Sequence, residues 1–154
     1  MNNPGKAFEK DFEKSCNSYF YRLKDGTASW GNQENTRFQA HNDFDCFIFN
    51  SPHLYGIELK SVKGKSFPFS NLKESQIKGL LKIDEHDNGH GYLIINFREV
   101  EETYAIGIRL LIGYMNRTTK KSINVIECNN LGILIPQRKL RVNYRYDLSE
   151  LITD

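Results

Sequence analysis

Two carboxylates and an ammonium stand close together in this chain: Asp45, then Glu58 and Lys60 on either side of Leu59. Carboxylates of this kind hold a hard divalent cation and leave it positions for water and phosphate. A lysine beside them can orient or help deprotonate a water, or steady developing negative charge. The chemistry these side chains match is hydrolysis of a phosphodiester, which needs an activated water and relief of charge on the phosphorane and the leaving oxygen. A Glu-x-Lys alone says little, because surface strands often carry such a pair fully solvated. The acid upstream is what gives it meaning.

The elements that must position these groups are strands. Phe44 to Phe49 is aromatic and apolar and ends at Asn50-Ser51-Pro52, a turn cluster. Tyr55 to Val62 alternates apolar and polar, as a half-buried strand does. Residues i and i+2 of a strand share a face, spaced by roughly 7 Å. Glu58 and Lys60 are thus expected on one face, with Ile57 and Leu59 on the other. The connection through Pro52 and His53 is short enough for an antiparallel return, which would bring Asp45 alongside Glu58.

With these residues in place, the sequence resembles the PD-(D/E)xK nuclease superfamily, and more narrowly the RecU-type Holliday junction resolvases. The resemblance is carried by Asp45 with Glu58-Leu59-Lys60, and by Ser66-Phe67-Pro68-Phe69-Ser70-Asn71-Leu72 followed by Gln76-Ile77. Gly5-Lys6-Ala7-Phe8-Glu9 is similar to the family's opening motif, and Ile135-Pro136 with Arg141-Val142-Asn143-Tyr144 is a less specific echo. The resemblance implies an α/β, restriction-endonuclease-like fold, a mixed central sheet flanked by helices. It implies metal ligation by Asp45, Glu58 and the backbone carbonyl of Leu59, with Lys60 as the catalytic lysine. Glu9 would be a further acid and Gln76 an accessory polar group, both within the catalytic set. The cofactor implied is Mg²⁺, with Mn²⁺ able to substitute, and the substrate a four-way DNA junction cut by a homodimer. Two departures are visible. RecU-type enzymes carry a long basic stalk before the first acid, whereas here only Lys24 to Asn42 occupies that region, and Phe44 stands where the motif usually has proline. A phage-encoded or shortened bacterial relative suits such a chain.

Composition sets the bounds. The 154 residues suit a single domain spanning 1–154, and 39% hydrophobic residues can fill its core. A net charge of +2 argues against a strongly nonspecific DNA binder, so local basic clusters matter more. Lys63 and Lys65, beside Lys60, are candidate phosphate contacts, and Trp30 in the 24–42 loop is a candidate to stack on an unpaired base. His41, next to the first acid, reads as a surface residue. Cys16, Cys46 and Cys128 are few, odd in number and far apart, which speaks against zinc or a disulfide framework. The polar N-terminus is not a signal peptide and no apolar run is long enough to span a bilayer, so a cytoplasmic protein is expected.

Along the chain, Asn3-Pro4-Gly5 opens a helix expected from about Lys6 to Tyr21, with Phe8, Phe12 and Cys16 as its apolar stripe. Ser70 or Asn71 is expected to cap a second helix running to about Asp84. Tyr92–Phe97 and Thr103–Ile106 read as strands, Ile108–Asn116 and Ser122–Cys128 as helices, and Leu131–Ile135 as a short strand. This alternation is that of a mixed α/β sandwich. The function expected is metal-dependent, structure-selective DNA cleavage. The alternatives are a related nuclease acting on flaps, single strands or duplex, and a noncatalytic DNA-binding module.

Overall fold

The computed structural model describes residues 3–24 and 42–153. The loop expected over 24–42 therefore falls mostly outside the described residues, and Trp30, Phe38 and His41 with it.

Helix α1 spans Pro4–Ser15. Asn3 caps it, its Oδ1 accepting the Gly5 and Lys6 N–H groups at 3.0 and 3.3 Å, and Pro4 occupies the first turn, where its missing N–H costs nothing. The helix stops well before Tyr21. The Ser15 hydroxyl donates back to the Asp11 carbonyl at 2.7 Å, and Cys16 is already extended. The next segment, Tyr19–Arg22, is strand β1. Its Tyr-Phe-Tyr run satisfies its backbone on β2 (Cys46–Asn50), a long-range pairing that a local helical stripe does not reveal.

β2 turns at Ser51 and Pro52 into β3 (His53–Val62), closing an antiparallel hairpin with Asn50 opposite His53. β4 (Ser66–Pro68) and a 3₁₀ turn over Phe69–Asn71 lead to α2, Glu74–Asp84. Helix α2 begins later than a Ser70 or Asn71 cap would place it, because the Gln76 side chain caps it instead, its Oε1 accepting the Lys73 N–H at 2.9 Å. α2 carries the chain to β5 (Gly89–Phe97), which runs parallel to β3 from Leu54↔Gly89 to Val62↔Phe97. β6 (Glu102–Gly107) returns antiparallel to β5. After α3 (Ile108–Arg117), the expected helix at Ser122–Cys128 divides in two. Ser122–Asn124 is β7, paired with β4, and α4 runs Val125–Leu131. Asn124 and Glu127 exchange side-chain to backbone bonds at the junction, a capping box that fixes where the helix starts. β8 (Ile133–Ile135) pairs with β6, and β9 (Gln137–Lys139) and β10 (Tyr144–Tyr146) form a separate hairpin.

The main sheet has the order β1-β2-β3-β5-β6-β8, mixed in direction and flanked by helices, which is the α/β architecture expected. Its two faces carry different cores. Phe8 and Phe12 of α1 with Tyr146, Leu148 and Leu151 cover Ile48, Ile57, Leu59 and Ile94 on one side. Leu80 of α2, Leu111 of α3 and Cys128 of α4 cover Leu93, Ile95, Phe97 and Ile106 on the other. Asp11 and Ser15 stitch α1 to β10 by accepting the Tyr144 and Tyr146 N–H groups at 2.9 and 3.0 Å. Two glycines set how closely α2 lies. A β-carbon at Gly91 of β5 would fall 2.3 Å from the Leu80 carbonyl oxygen, and one at Gly79 of α2 would fall 2.3 Å from Cβ of Asp43. The second contact holds the 43–45 bend, and thus the start of β2, against the helix.

Candidate active site

Asp45 is not inside a strand, as its sequence context suggests, but in the bend just before β2. Its N–H bonds to the Ile57 carbonyl at 3.0 Å, although Cys46 is the residue that faces Ile57. Two residues of one strand thus stand against one of the other, the arrangement of a β-bulge, which re-aims a side chain at a strand end. The Asp45 carbonyl accepts the Leu23 N–H at 2.9 Å, and its Oδ2 accepts the Leu59 N–H at 2.7 Å. This last bond ties the first acid to the middle of the Glu58-Leu59-Lys60 triplet.

The alternation on β3 is as expected: Ile57 and Leu59 enter the α1-side core, and Glu58 and Lys60 point to the α2 side. Glu58 is only 2% exposed. Its Oε1 receives two donors, Gln76 Nε2 at 2.7 Å and Lys60 Nζ at 2.9 Å. Its Oε2 is buried and has no partner among the described residues. Burial, and then the charge of Asp45, push the Glu58 carboxyl up to about 7 against the pull of Lys60, and Glu9 adds a smaller upward push. A carboxylate in such a place is costly to ionise without a cation.

Gln76 is oriented from both ends of its amide, with its oxygen on the Lys73 N–H and its nitrogen on Glu58. Glu9 approaches from α1 on the other side of the sheet and is ion-paired with Arg22 of β1. It lines a small cavity with Arg22, Asp45 and Leu59. A larger cavity of about 480 Å³ lies on the α2 side, walled by Arg22, Leu23, Asn42, Phe44, Asp45, Glu58, Lys73, Ser75 and Gln76. Asp45 and Arg22 border both. Lys63 and Lys65 are in the turn after β3 and do not line either cavity. The structure thus brings together Glu9, Asp45, Glu58, Lys60 and Gln76, and adds Arg22, Lys73 and Ser75, which sequence reasoning misses. Arg22 is hidden when β1 is read as helix. Lys73 and Ser75 are passed over when the start of α2 is placed too early.

The donor set fits a hard divalent cation. Asp45 and Glu58 supply the carboxylates, and the partnerless Glu58 oxygen is the atom that most needs one. Among the described residues no group of three or more His, Cys, Asp and Glu side chains could hold a metal. Mg²⁺ ordinarily takes one or two carboxylates and fills its remaining positions with water and substrate phosphate.

A mixed sheet with helices on both faces, and an acid on a strand bulge beside a Glu-x-Lys strand, define the restriction-endonuclease-like class of nuclease folds. The family model for recombination protein U matches residues 31–150. The chain belongs to the RecU family. It is 33% identical over 168 residues to the SPbeta prophage-derived uncharacterized protein YotM of Bacillus subtilis, covering 97% of this chain and 85% of that one. It is 34% identical over 112 residues to the Holliday junction resolvase RecU of Staphylococcus epidermidis, covering 70% of this chain and 53% of that one. The chain therefore spans about half the length of that resolvase. A solved structure of Hjc, a Holliday junction resolvase from Archaeoglobus fulgidus, aligns over 75% of this chain and 80% of its own with a TM-score of 0.48 and 16% identity. No helix among the described residues is long and apolar enough to cross a membrane.

Proposed function

We propose that this chain is a Mg²⁺-dependent, structure-selective DNA endonuclease that resolves four-way junctions by paired phosphodiester hydrolysis, acting as a homodimer. The observation that carries the reading is the buried Glu58 carboxylate, with one oxygen gripped by Lys60 and Gln76 and the other buried without a partner among the described residues. Family membership supports the junction as substrate. Mg²⁺, when bound, supplies a Lewis acid for the scissile phosphate and makes a water acidic enough to attack it. Asp45, Glu58 and the Leu59 carbonyl would hold the ion. Gln76, by donating to Oε1, holds the Glu58 carboxylate in the orientation that leaves Oε2 for the ion. Lys60, anchored at Glu58 Oε1, provides a positive charge where the phosphate becomes more negative. Glu9, held by Arg22, adds a further carboxylate at the edge of the site. Paired cuts need two such sites, and a twofold dimer supplies them on matching strands.

The test is cleavage of a labelled four-way junction in Mg²⁺ by the wild type, Glu58→Gln and Lys60→Ala, with linear duplex, flap and single-strand substrates alongside. Junction cutting that both variants abolish is the expected result. Unchanged cutting by either variant would remove the residue assignments, and equal cutting of junction and duplex would remove the selectivity. Sedimentation at micromolar concentration is expected to show two chains per particle.

A further inference from the structure

The larger cavity has two chemically distinct ends. At one end its wall includes Glu58, a side chain 2% exposed whose Oε2 has no partner among the described residues, which calls for a cation. At its rim is the amino end of α2, with Lys73 and Ser75 in the wall. Gln76 and Ile77 both direct their N–H groups to the Lys73 carbonyl at 3.0 and 3.1 Å, and the Lys73 N–H is taken by the Gln76 side chain. The Glu74 and Ser75 N–H groups have no acceptor among the described residues. Lys73 is exposed and makes no ion pair among the described residues, whereas the neighbouring Glu74 carboxylate is turned to Lys78 at 2.9 Å. These N–H groups, the positive end of an eleven-residue helix and the Lys73 ammonium together make a seat for an anion.

The charge balance points the same way. Asp45, Glu58 and Glu9, the ion-pair partner of Arg22, bring three negative charges to the cavity and its edge, and Arg22, Lys73 and Lys60, the partner of Glu58, bring three positive ones. A divalent cation at the carboxylates would leave the cavity doubly positive, suited to a stretch of phosphodiester backbone longer than one phosphate. We propose that Lys73, with the hydroxyl and N–H of Ser75, holds the backbone phosphate next to the one that is cut. The inference rests on the nuclease reading of the site and assigns substrate-positioning residues to it. These groups would fix the register of the strand, so that the scissile phosphate meets Glu58 and Lys60.

The experiment combines protein and phosphate changes. Wild type, Lys73→Gln and Lys73→Arg are compared on a junction in which single phosphates around the mapped cut are replaced by neutral methylphosphonates. Affinity is read in EDTA and cleavage in Mg²⁺. Losing one phosphate contact lowers the salt slope by about 0.9, equivalent to a roughly eight-fold loss of affinity at 0.1 M salt. That loss is expected for Lys73→Gln and largely restored in Lys73→Arg. The methylphosphonate adjacent to the cut should weaken the wild type but add nothing to Lys73→Gln. Lys82→Gln, an equal charge change at the far end of α2, should instead show additive losses. Losses that add for Lys73→Gln at every position, with wild-type cutting intact, would overturn this inference alone. A wild type that binds the junction without cutting it would overturn the nuclease reading and this inference together.

Discussion

Replacing Glu58 by Gln should change how stability depends on pH. Folded Glu58 ionises at about 7, against an ordinary 4.5, because it is buried beside Asp45. Below pH 4.5 the carboxyl is protonated in both folded and unfolded chains and carries no penalty. As pH rises toward 7, the unfolded chain releases the proton while the folded chain keeps it, so stability falls by about 1.4 kcal/mol per pH unit. Above the folded value the loss levels off. Between about pH 5 and pH 8 it amounts to about 2 to 3 kcal/mol, a fall in Tm of roughly 5 to 10 °C for a chain of this size. The Glu58→Gln variant has no such titration. Its amide nitrogen at the buried Oε2 position would lack an acceptor, which costs about 1 to 3 kcal/mol, but that cost does not vary with pH. The two stability curves, from urea or thermal unfolding at half-unit steps, should therefore converge or cross as pH rises. Mg²⁺ at about ten times its Kd should restore about 1.4 kcal/mol to the wild type at about pH 8 and much less to Glu58→Gln. Parallel curves across that pH range would refute the account of Glu58 as a strained acid.

Three further changes probe the supports of the site. Gly79→Ala gains helix propensity but places a β-carbon 2.3 Å from Asp43 Cβ. It should cost roughly 1 to 3 kcal/mol and impair cleavage by moving the Asp45 bend, and a more stable, fully active variant would count against that packing. Gln76→Ala removes a donor from Glu58 and the cap from Lys73, with an expected loss of about 1 kcal/mol and a roughly ten-fold weaker Mg²⁺ affinity by calorimetry. Lys60→Met removes a charge that lowers the Glu58 value, so the Glu58 carboxyl carbon should titrate at higher pH by NMR than in the wild type.

The parts of the fold that are legible in the sequence are those whose burial leaves a pattern. Glu58 and Lys60 opposite Ile57 and Leu59, the β2–β3 return and the apolar strand within β5 all follow from alternation or continuous apolar runs. What is hidden depends on contacts between distant segments. β1 looks like the end of α1 until β2 is there to pair with it. β7 looks like the first turn of α4 until β4 lies beside it. Asp45 sits beyond its strand because of one bulge, a displacement of a single residue that no periodicity records. Glu9 and Gln76 enter the site by resemblance alone; in the structure Glu9 is ion-paired with Arg22, and the Gln76 side-chain amide accepts from the Lys73 N–H and donates to Glu58.

The Gln76 amide has a consequence for how the site comes into being. Its oxygen belongs to the first turn of α2 and its nitrogen to Glu58, so neither bond is kept if the side chain turns over. Fraying of that turn leaves the carboxylate held by Lys60 alone, and a displaced carboxylate loosens the turn. Winding the helix and arming the acid are thus one event. A single reporter follows from this: the backbone amide of Lys73, whose hydrogen exchange should keep time with the assembly of a cluster its own backbone does not enter.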